Sequence, residues 1–452
     1  MHPALILLLS MAAVFVLIVR LRFNAFLALI ATAILIALLA PGVALRDVMQ
    51  KVTAEFGGVV GRIGISVLMA AIVGRCLVES GAAERIVRHF RWLLGEKLES
   101  LALVITGYVL SIPVFSDTTF YLMIPLARAM CIRAGGGNYV LYATSINAGC
   151  TATHTLVPPT PGPLAMAATF NLDLGLTILV GMAVAAPASL CAWLFCRWID
   201  RRLNVAIREA PGPSLAELGE VAARPSSDLP PLLLSLAPIA VPVMLISGHT
   251  VAAAVDKNSG LTAVSRFFGD PNLSLMLAAA IAVLLLMRQR RLSFRQVASP
   301  IEQSLSDAGM IILITAAGGA FGAMLEMAGV GPMIKGLAAS WGIPVLALGF
   351  AAGMLFKIAQ GSATVAVITA SAILAPMVSA APPPFHPVWV GMAVCSGSMA
   401  GSWMNDSGFW VFTTMSGLTE VEALKSRTIV SIVLGVAAFA ATVLGAWLVP
   451  LV

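Results

Sequence analysis

The chain has 452 residues, 59% of them hydrophobic and only 11% charged, with a mean hydropathy of +0.97. Soluble domains carry roughly 25% Asp, Glu, Lys and Arg, so this composition excludes a water-soluble enzyme, a nucleic-acid-binding protein and a disordered chain. The slight excess of basic over acidic side chains, 27 against 21, reads as loop charge on the cytoplasmic side of a membrane.

A bilayer core takes about 20 apolar residues per helix, and uncharged runs of that order recur along the chain. Pro3–Val19 has no basic residue before it, and Arg20 and Arg22 behind it. That polarity is the reverse of a removable signal, so the run is predicted to be a retained helix with its C-terminal end in the cytoplasm and the N-terminus outside. Phe23–Leu45 and a span around Gly61–Val78 follow. Glu84–Leu94 sets Glu84, Arg85, Arg88 and Arg91 beside Ile86, Val87, Phe90 and Leu94, which predicts an amphipathic helix at the cytoplasmic interface. After Ser100–Ser116 comes Ala134–Leu172, about twice the length of one crossing. It holds four prolines within Pro158–Pro163, which cannot continue a helix, so it must fold back or cross twice.

Leu174–Cys196 is followed by Arg197, Arg201, Arg202 and Arg208. The hydrophilic, proline-rich interval Arg208–Pro231 is predicted to be a cytoplasmic linker. Leu229–Val255 and Pro271–Met287 then return the chain to a second basic cluster, Arg288, Arg290, Arg291 and Arg295. Two crossings between the clusters put both on one face, as the positive-inside rule requires. Ala308–Leu325, Gly336–Phe356, the double-length Ile358–Asn405 and Thr428–Val452 complete the series. The expectation is an all-α polytopic membrane protein of roughly ten to fourteen membrane elements. Barrel strands of about ten residues with alternating polarity are not seen. The six cysteines lie in or beside apolar runs, without Cys-x-x-Cys or His spacing, and are predicted to be packing residues rather than a metal site.

The two halves resemble each other. Leu77–Ile86 aligns with Leu325–Ile334, placing Gly81 over Gly329, and Ser116-Asp117-Thr118 lies over Ser362-Ala363-Thr364 at nearly the same offset. Later, the break Asn147–Pro163 faces Cys395–Phe409. Related halves with breaks at matching positions are the sequence pointer to secondary transporters, whose sites form between half-helices near the bilayer midplane. The expected organisation is two related, inverted repeats with broken helices and re-entrant hairpins. Residues 1–60 form N-terminal scaffold helices and 61–199 a first repeat. Residues 200–230 are the linker, 231–307 further scaffold helices, and 308–452 the second repeat.

Few ionisable side chains lie far from a loop, chiefly Asp117, His154, Lys357 and Asp406. A charge at the bilayer centre costs at least about 2.5–3.5 kcal/mol on insertion scales, so such residues line pathways, carry coupling protons or pair with one another. Lys357 paired with Asp117 or Asp406 is the plain structural alternative. The break Ser111–Thr119 loses helical geometry at Pro113, and Lys357–Thr364 does so with Gly361 and polar side chains. Backbone of this kind at membrane depth is tolerated only inside protein or along a wet cavity.

The strings Ser111–Pro125 (SIPVFSDTTFYLMIP), Thr153–Pro163 (THTLVPPTPGP), Lys357–Thr369 (KIAQGSATVAVIT) and Asn405–Phe412 (NDSGFWVF) resemble the gluconate permease (GntP) family of the ion transporter superfamily. The resemblance covers most of the chain from about Gly61 onward. It implies proton-coupled uptake of gluconate or related small hydroxy acids through the cytoplasmic membrane. It also implies a homodimer in which a transport domain slides against a scaffold. This chain departs from the family pattern at Thr160, where a second histidine is common, at Lys357, where arginine is common, and at Asp117, often Glu. A lysine in place of arginine gives up a flat bidentate fork for a point charge.

The expected mechanism follows. Lys357 and the N–H groups of broken-helix N-termini hold the substrate's carboxylate. Ser116, Thr118, Thr153, His154, Ser362, Thr364 and Asn405 bond its hydroxyls, and Asp117, Asp406 or His154 carries the coupling proton. Neither a cofactor nor a metal enters this reading. A sodium-coupled carboxylate carrier is the nearer alternative. A membrane-embedded hydrolase using Ser116, Asp117 and His154 is the remote one, since no Gly-x-Ser-x-Gly setting is present.

Overall fold

The computed structural model describes residues 2–21, 23–41, 43–208, 228–256, 260–330, 344–404 and 406–451. Among them every regular element is helical and none is a strand. The first half contains α1 (Pro3–Phe15), α2 (Ala25–Leu39), α3 (Val48–Glu79), α4 (Ala82–Leu94), α5 (Glu99–Leu110), α6 (Ser116–Arg133), α7 (Tyr139–Leu156), α8 (Pro161–Thr169) and α9 (Leu174–Leu203). The second contains α10 (Leu232–Val255), α11 (Gly260–Phe268), α12 (Pro271–Arg290), α13 (Phe294–Met327), α14 (Val345–Gln360), α15 (Ala363–Ala380), α16 (Val388–Met399), α17 (Ser407–Ser416), α18 (Glu420–Ala423) and α19 (Ile429–Leu448). A wider π-type turn, Leu424–Thr428, joins the last two. Seven helices among the described residues are long and apolar enough to cross a membrane, and five shorter apolar ones accompany them. The protein is a multi-pass membrane protein.

The breaks seen in the sequence are where helices end. The turn 111–115 separates α5 from α6, and Gly361 with φ 88° separates α14 from α15. The proline string separates α7 from α8, with Pro158-Pro159 in the cis form, and residues 400–406 separate α16 from α17. Gly81 and Gly329 both take a left-handed φ, 79° and 74°, directly after the two longest helices, α3 and α13. These two helices pack against each other. With 32 and 34 residues they reach about 48–51 Å at about 1.5 Å per residue, well beyond the roughly 30 Å hydrocarbon core.

Segment limits drawn at 60/61, 199/200 and 307/308 fall inside α3, α9 and α13, which run through them unbroken. Most of the linker, 209–227, and part of the Leu325–Ile334 match lie outside the described residues.

The clearest likeness between the halves is a pair of close helix crossings. Where α5 meets α7, a Cβ on Gly149 would collide with the Val104 carbonyl oxygen, and one on Gly107 would stand 3.0 Å from that of Ile146. Where α14 meets α16, Gly397 faces the Phe350 carbonyl and Gly353 that of Val394 in the same way. Backbones approach this closely only where side chains are missing, the general device by which membrane helices gain packing contact without hydrophobic driving force. A separate buried cluster around Phe321 joins α1, α2, α13 and α15.

The amphipathic segment is α4. Its Ala82, Ala83, Ile86 and Val87 face inward, while Trp92 is 78% exposed. Glu84 and Arg88 pair along it at 2.6 Å, and Arg91 reaches Glu99 at 2.7 Å. At the start of the linker, Arg208 joins the halves. Its carbonyl accepts from Arg128 Nη2 at 2.6 Å, and its guanidinium forms two 2.8 Å bonds to Glu422.

Candidate functional site

The helix breaks converge on one cavity of about 250 Å³. Three helices point their N-termini at it: α6 with Ser116 and Asp117, α15 with Ser362 and Thr364, and α17 with Asp406 and Ser407. Each such end carries unsatisfied N–H groups and about half a positive charge. The C-terminal turns of α7, α14 and α16 close it with His154, Lys357 and Ser398. The wall therefore comes from both halves of the chain.

Lys357 is 4% exposed, and two of its three N–H donors are engaged. It donates to Asp406 Oδ2 at 2.9 Å and to the Gly361 carbonyl, one of the free carbonyls at the end of α14. Asp406, the N-cap of α17, accepts further bonds from Ser402 Oγ and from the Gly408 N–H at 3.0 Å. The ion pair joins the end of α14 to the start of α17 across two breaks. Of the two pairings raised by the sequence, Lys357 with Asp117 or with Asp406, the structure forms the second.

Asp117 is held more loosely. It accepts from Ser407 Oγ at 3.4 Å and Ser116 Oγ at 3.5 Å. His154 is buried in the last turn of α7, its ring 5.6 Å from that of Phe115 and its Nδ1 without a partner. Ser362 caps α15 by accepting from the Val365 N–H at 3.3 Å, and Thr364 lines the cavity beside it.

Two expected residues point elsewhere. Thr118, one helical step from Asp117, lines a smaller space of about 90 Å³ with Arg75 and Ser304. Thr153, one step from His154, is fully buried, and its hydroxyl donates to the Gly149 carbonyl at 3.5 Å. A step of one residue turns a helical side chain by about 100°, enough to take each away from the cavity. Asn405 lies outside the described residues.

The structure adds groups that the sequence did not single out. Asn147, Thr151 and Thr155 line the cavity along one face of α7, at the i, i+4, i+8 spacing that puts residues on one stripe. That polar stripe within an uncharged run was a readable signal. Asn147 Nδ2 and Thr155 Oγ1 are buried without partners. Arg427 is the larger addition. It is 6% exposed, and its Nη2 lies 3.7 Å from Asp406 Oδ2. Its guanidinium stands 5.6 Å from the Phe412 ring centroid, and Nε and Nη1 have no partner. It sits on the π-type turn with Lys425, next to the uncharged run beginning at Thr428, and so reads in sequence as ordinary loop charge.

The cavity thus holds two cations, two carboxylates, a histidine and several buried donors without acceptors. A buried polar group left without a partner costs about 1–3 kcal/mol, a cost carried here by Asn147 Nδ2 and by Arg427 Nε and Nη1. Comparison with known proteins places the chain. It matches the GntP family permeases over residues 2–448. It is 33% identical to an uncharacterised permease of Haemophilus influenzae, covering 93% of this chain and 87% of the relative. It is 31% identical to a gluconate permease of Pseudomonas aeruginosa, covering 96% of both. The fold is also that of MtrF from Neisseria gonorrhoeae, described as one of a class of antimetabolite efflux pumps. There the TM-score is 0.65 at 16% identity, over 94% of this chain and 95% of that one. The family match spans nearly the whole chain, and this chain belongs to the GntP permease family.

Proposed function

We propose that the protein is a secondary active transporter, a proton-coupled symporter that imports gluconate or a related small hydroxy or sugar acid across the cytoplasmic membrane by alternating access. The observation that carries this reading is the cavity of about 250 Å³ in which helix N-termini of both halves meet beside unpaired donors. Relatives of similar length are named as gluconate permeases and transporters.

Coupling follows from charge. Lys357, Arg427, Asp117 and Asp406 sum to zero formal charge, and an arriving monoanion leaves the cavity at −1. Carrying that charge inward against an inside-negative potential costs about 2.3 kcal/mol per 100 mV. A co-transported proton removes both burdens. Of the three candidates, Asp117 takes it with least disruption, giving up two long contacts. Asp406 would forfeit its ion pair with Lys357, the Gly408 N–H and Ser402. His154 faces the aromatic ring of Phe115 without a hydrogen-bonded acid partner at Nδ1. The distribution of arginines supports an external N-terminus, and the family resemblance supports a homodimer.

The test is Asp117→Asn in proteoliposomes. Gluconate accumulation driven by an inward proton gradient should vanish, while exchange of internal for external gluconate at equal pH persists. Gradient-driven accumulation at the wild-type level would remove Asp117 from the coupling role. Dependence on sodium, seen on replacing it with potassium at fixed proton gradient, would replace the coupling ion altogether.

A further inference from the structure

Among the described residues two cations line the cavity, and Arg427 has more of its donors unpaired than Lys357. Lys357 already donates to Asp406 and to the Gly361 carbonyl. Arg427 contacts Asp406 only at 3.7 Å, and its Nε and Nη1 are buried with no acceptor. A planar guanidinium presents parallel N–H groups that match a carboxylate's two oxygens, which an ammonium cannot do. Beneath it, Gly408 leaves a notch. A Cβ there would stand 2.6 Å from Asp117 Oδ1 and 2.7 Å from Arg427 Nη2.

We propose that Arg427, not Lys357, is the residue that receives the substrate's carboxylate, and that the missing side chain at Gly408 lets Arg427 and Asp117 share one side of the cavity. This deepens the carrier reading above and rests on it. Lys357 then serves as a fixed internal counter-ion to Asp406, holding two helix breaks together whether or not substrate is present. Arg427 exchanges a long contact with Asp406 for a bidentate one with the substrate. Because Asp117 shares the notch, the anion arrives beside the carboxylate that takes the proton, which links substrate entry to protonation at one place. Specificity for a carboxylate over a neutral polyol end is then a property of Arg427, and the hydroxyl-bonding groups of α6, α7 and α15 govern the rest of the ligand.

The experiment measures dissociation constants of the purified full-length protein for gluconate, glycerate and 3-hydroxybutyrate, each beside its uncharged amide. The wild type should prefer at least one acid over its amide by about 10-fold or more, the worth of a charged hydrogen bond. In Arg427→Gln that preference should fall to near unity, while amide binding changes little. A merely structural role would weaken acid and amide together and leave their ratio intact. Arg427→Lys should restore part of the preference. Gly408→Ala guards against misfolding of the arginine variants. Gly408 lies in the first turn of α17 without a left-handed φ, where alanine is a good helix former, and the added methyl should reduce the acid preference. Retention of the preference in Arg427→Gln or in Gly408→Ala overturns the proposal. Failure of the wild type to bind any of the acids overturns the carrier reading instead.

Discussion

Replacing Lys357 with glutamine strips Asp406 of its closest cation while leaving it 8% exposed. At the 2.9 Å separation, two unit charges attract by about 6 kcal/mol at an effective dielectric of about 20. Much of that repays the desolvation of the pair, so the measurable quantity is the cost of leaving one partner alone, about 3–5 kcal/mol for a buried pair. Asp406 keeps Ser402, the Gly408 N–H and Arg427 at 3.7 Å, which places the expected loss at the lower end, about 3 kcal/mol. Asp406→Asn should cost a similar amount, because Lys357 is then left with the Gly361 carbonyl. The double variant strands neither member of the pair, although Arg427 loses its 3.7 Å neighbour, and its loss should fall short of the sum of the single losses by about 0.5–3 kcal/mol, the range for residues in contact. Unfolding of the three variants and the wild type in mixed detergent–SDS micelles gives the four free energies for this cycle. Simple additivity would refute the claim that this pair binds the end of α14 to the start of α17.

The close crossings predict a graded response to alanine. Gly149→Ala and Gly397→Ala drive a methyl into a facing carbonyl and should abolish monodisperse protein in detergent, whereas Gly57→Ala, with nothing within 4 Å, should be neutral or add up to about 1 kcal/mol of stability. Equal yields from all three would show that the crossings tolerate separation. Glu422→Gln keeps the capping bond to the Thr419 N–H, at 2.8 Å, because glutamine serves in a capping box, but loses the ion pair with the half-exposed Arg208. The expected loss is below about 1 kcal/mol and should shrink between about 0.1 and 1 M salt, as read from unfolding midpoints at one heating rate. A larger, salt-independent loss would show that Arg208 anchors the halves by more than charge.

The all-helical membrane class was legible because twenty-residue apolar runs have no other stable use in lipid. The helix breaks were legible too, since Pro113, the Pro158–Pro163 string and Gly361 impose backbone geometry locally. Gly81 and Gly329 could be picked out for the same reason, since each takes a left-handed φ. The site was legible where a charge stood inside an apolar run, as with Asp117, Lys357 and Asp406. It was obscured where rotation about a helix axis decides the matter, so Thr118 and Thr153 seemed as well placed as their neighbours. Arg427 was hidden by its setting. Hydropathy counts a basic residue beside a long apolar run as the edge of the membrane, and only the tertiary fold shows that this edge lies over Asp406 and Phe412.

The glycine crossings bear on how the molecule can move. Interlocked main chains cannot slip past each other by swapping rotamers, so α5 is locked to α7 and α14 to α16. His154 stands on one locked pair and Lys357 on the other, and under the proposed alternating access displacement between the pairs, rather than bending within them, would change exposure at the cavity.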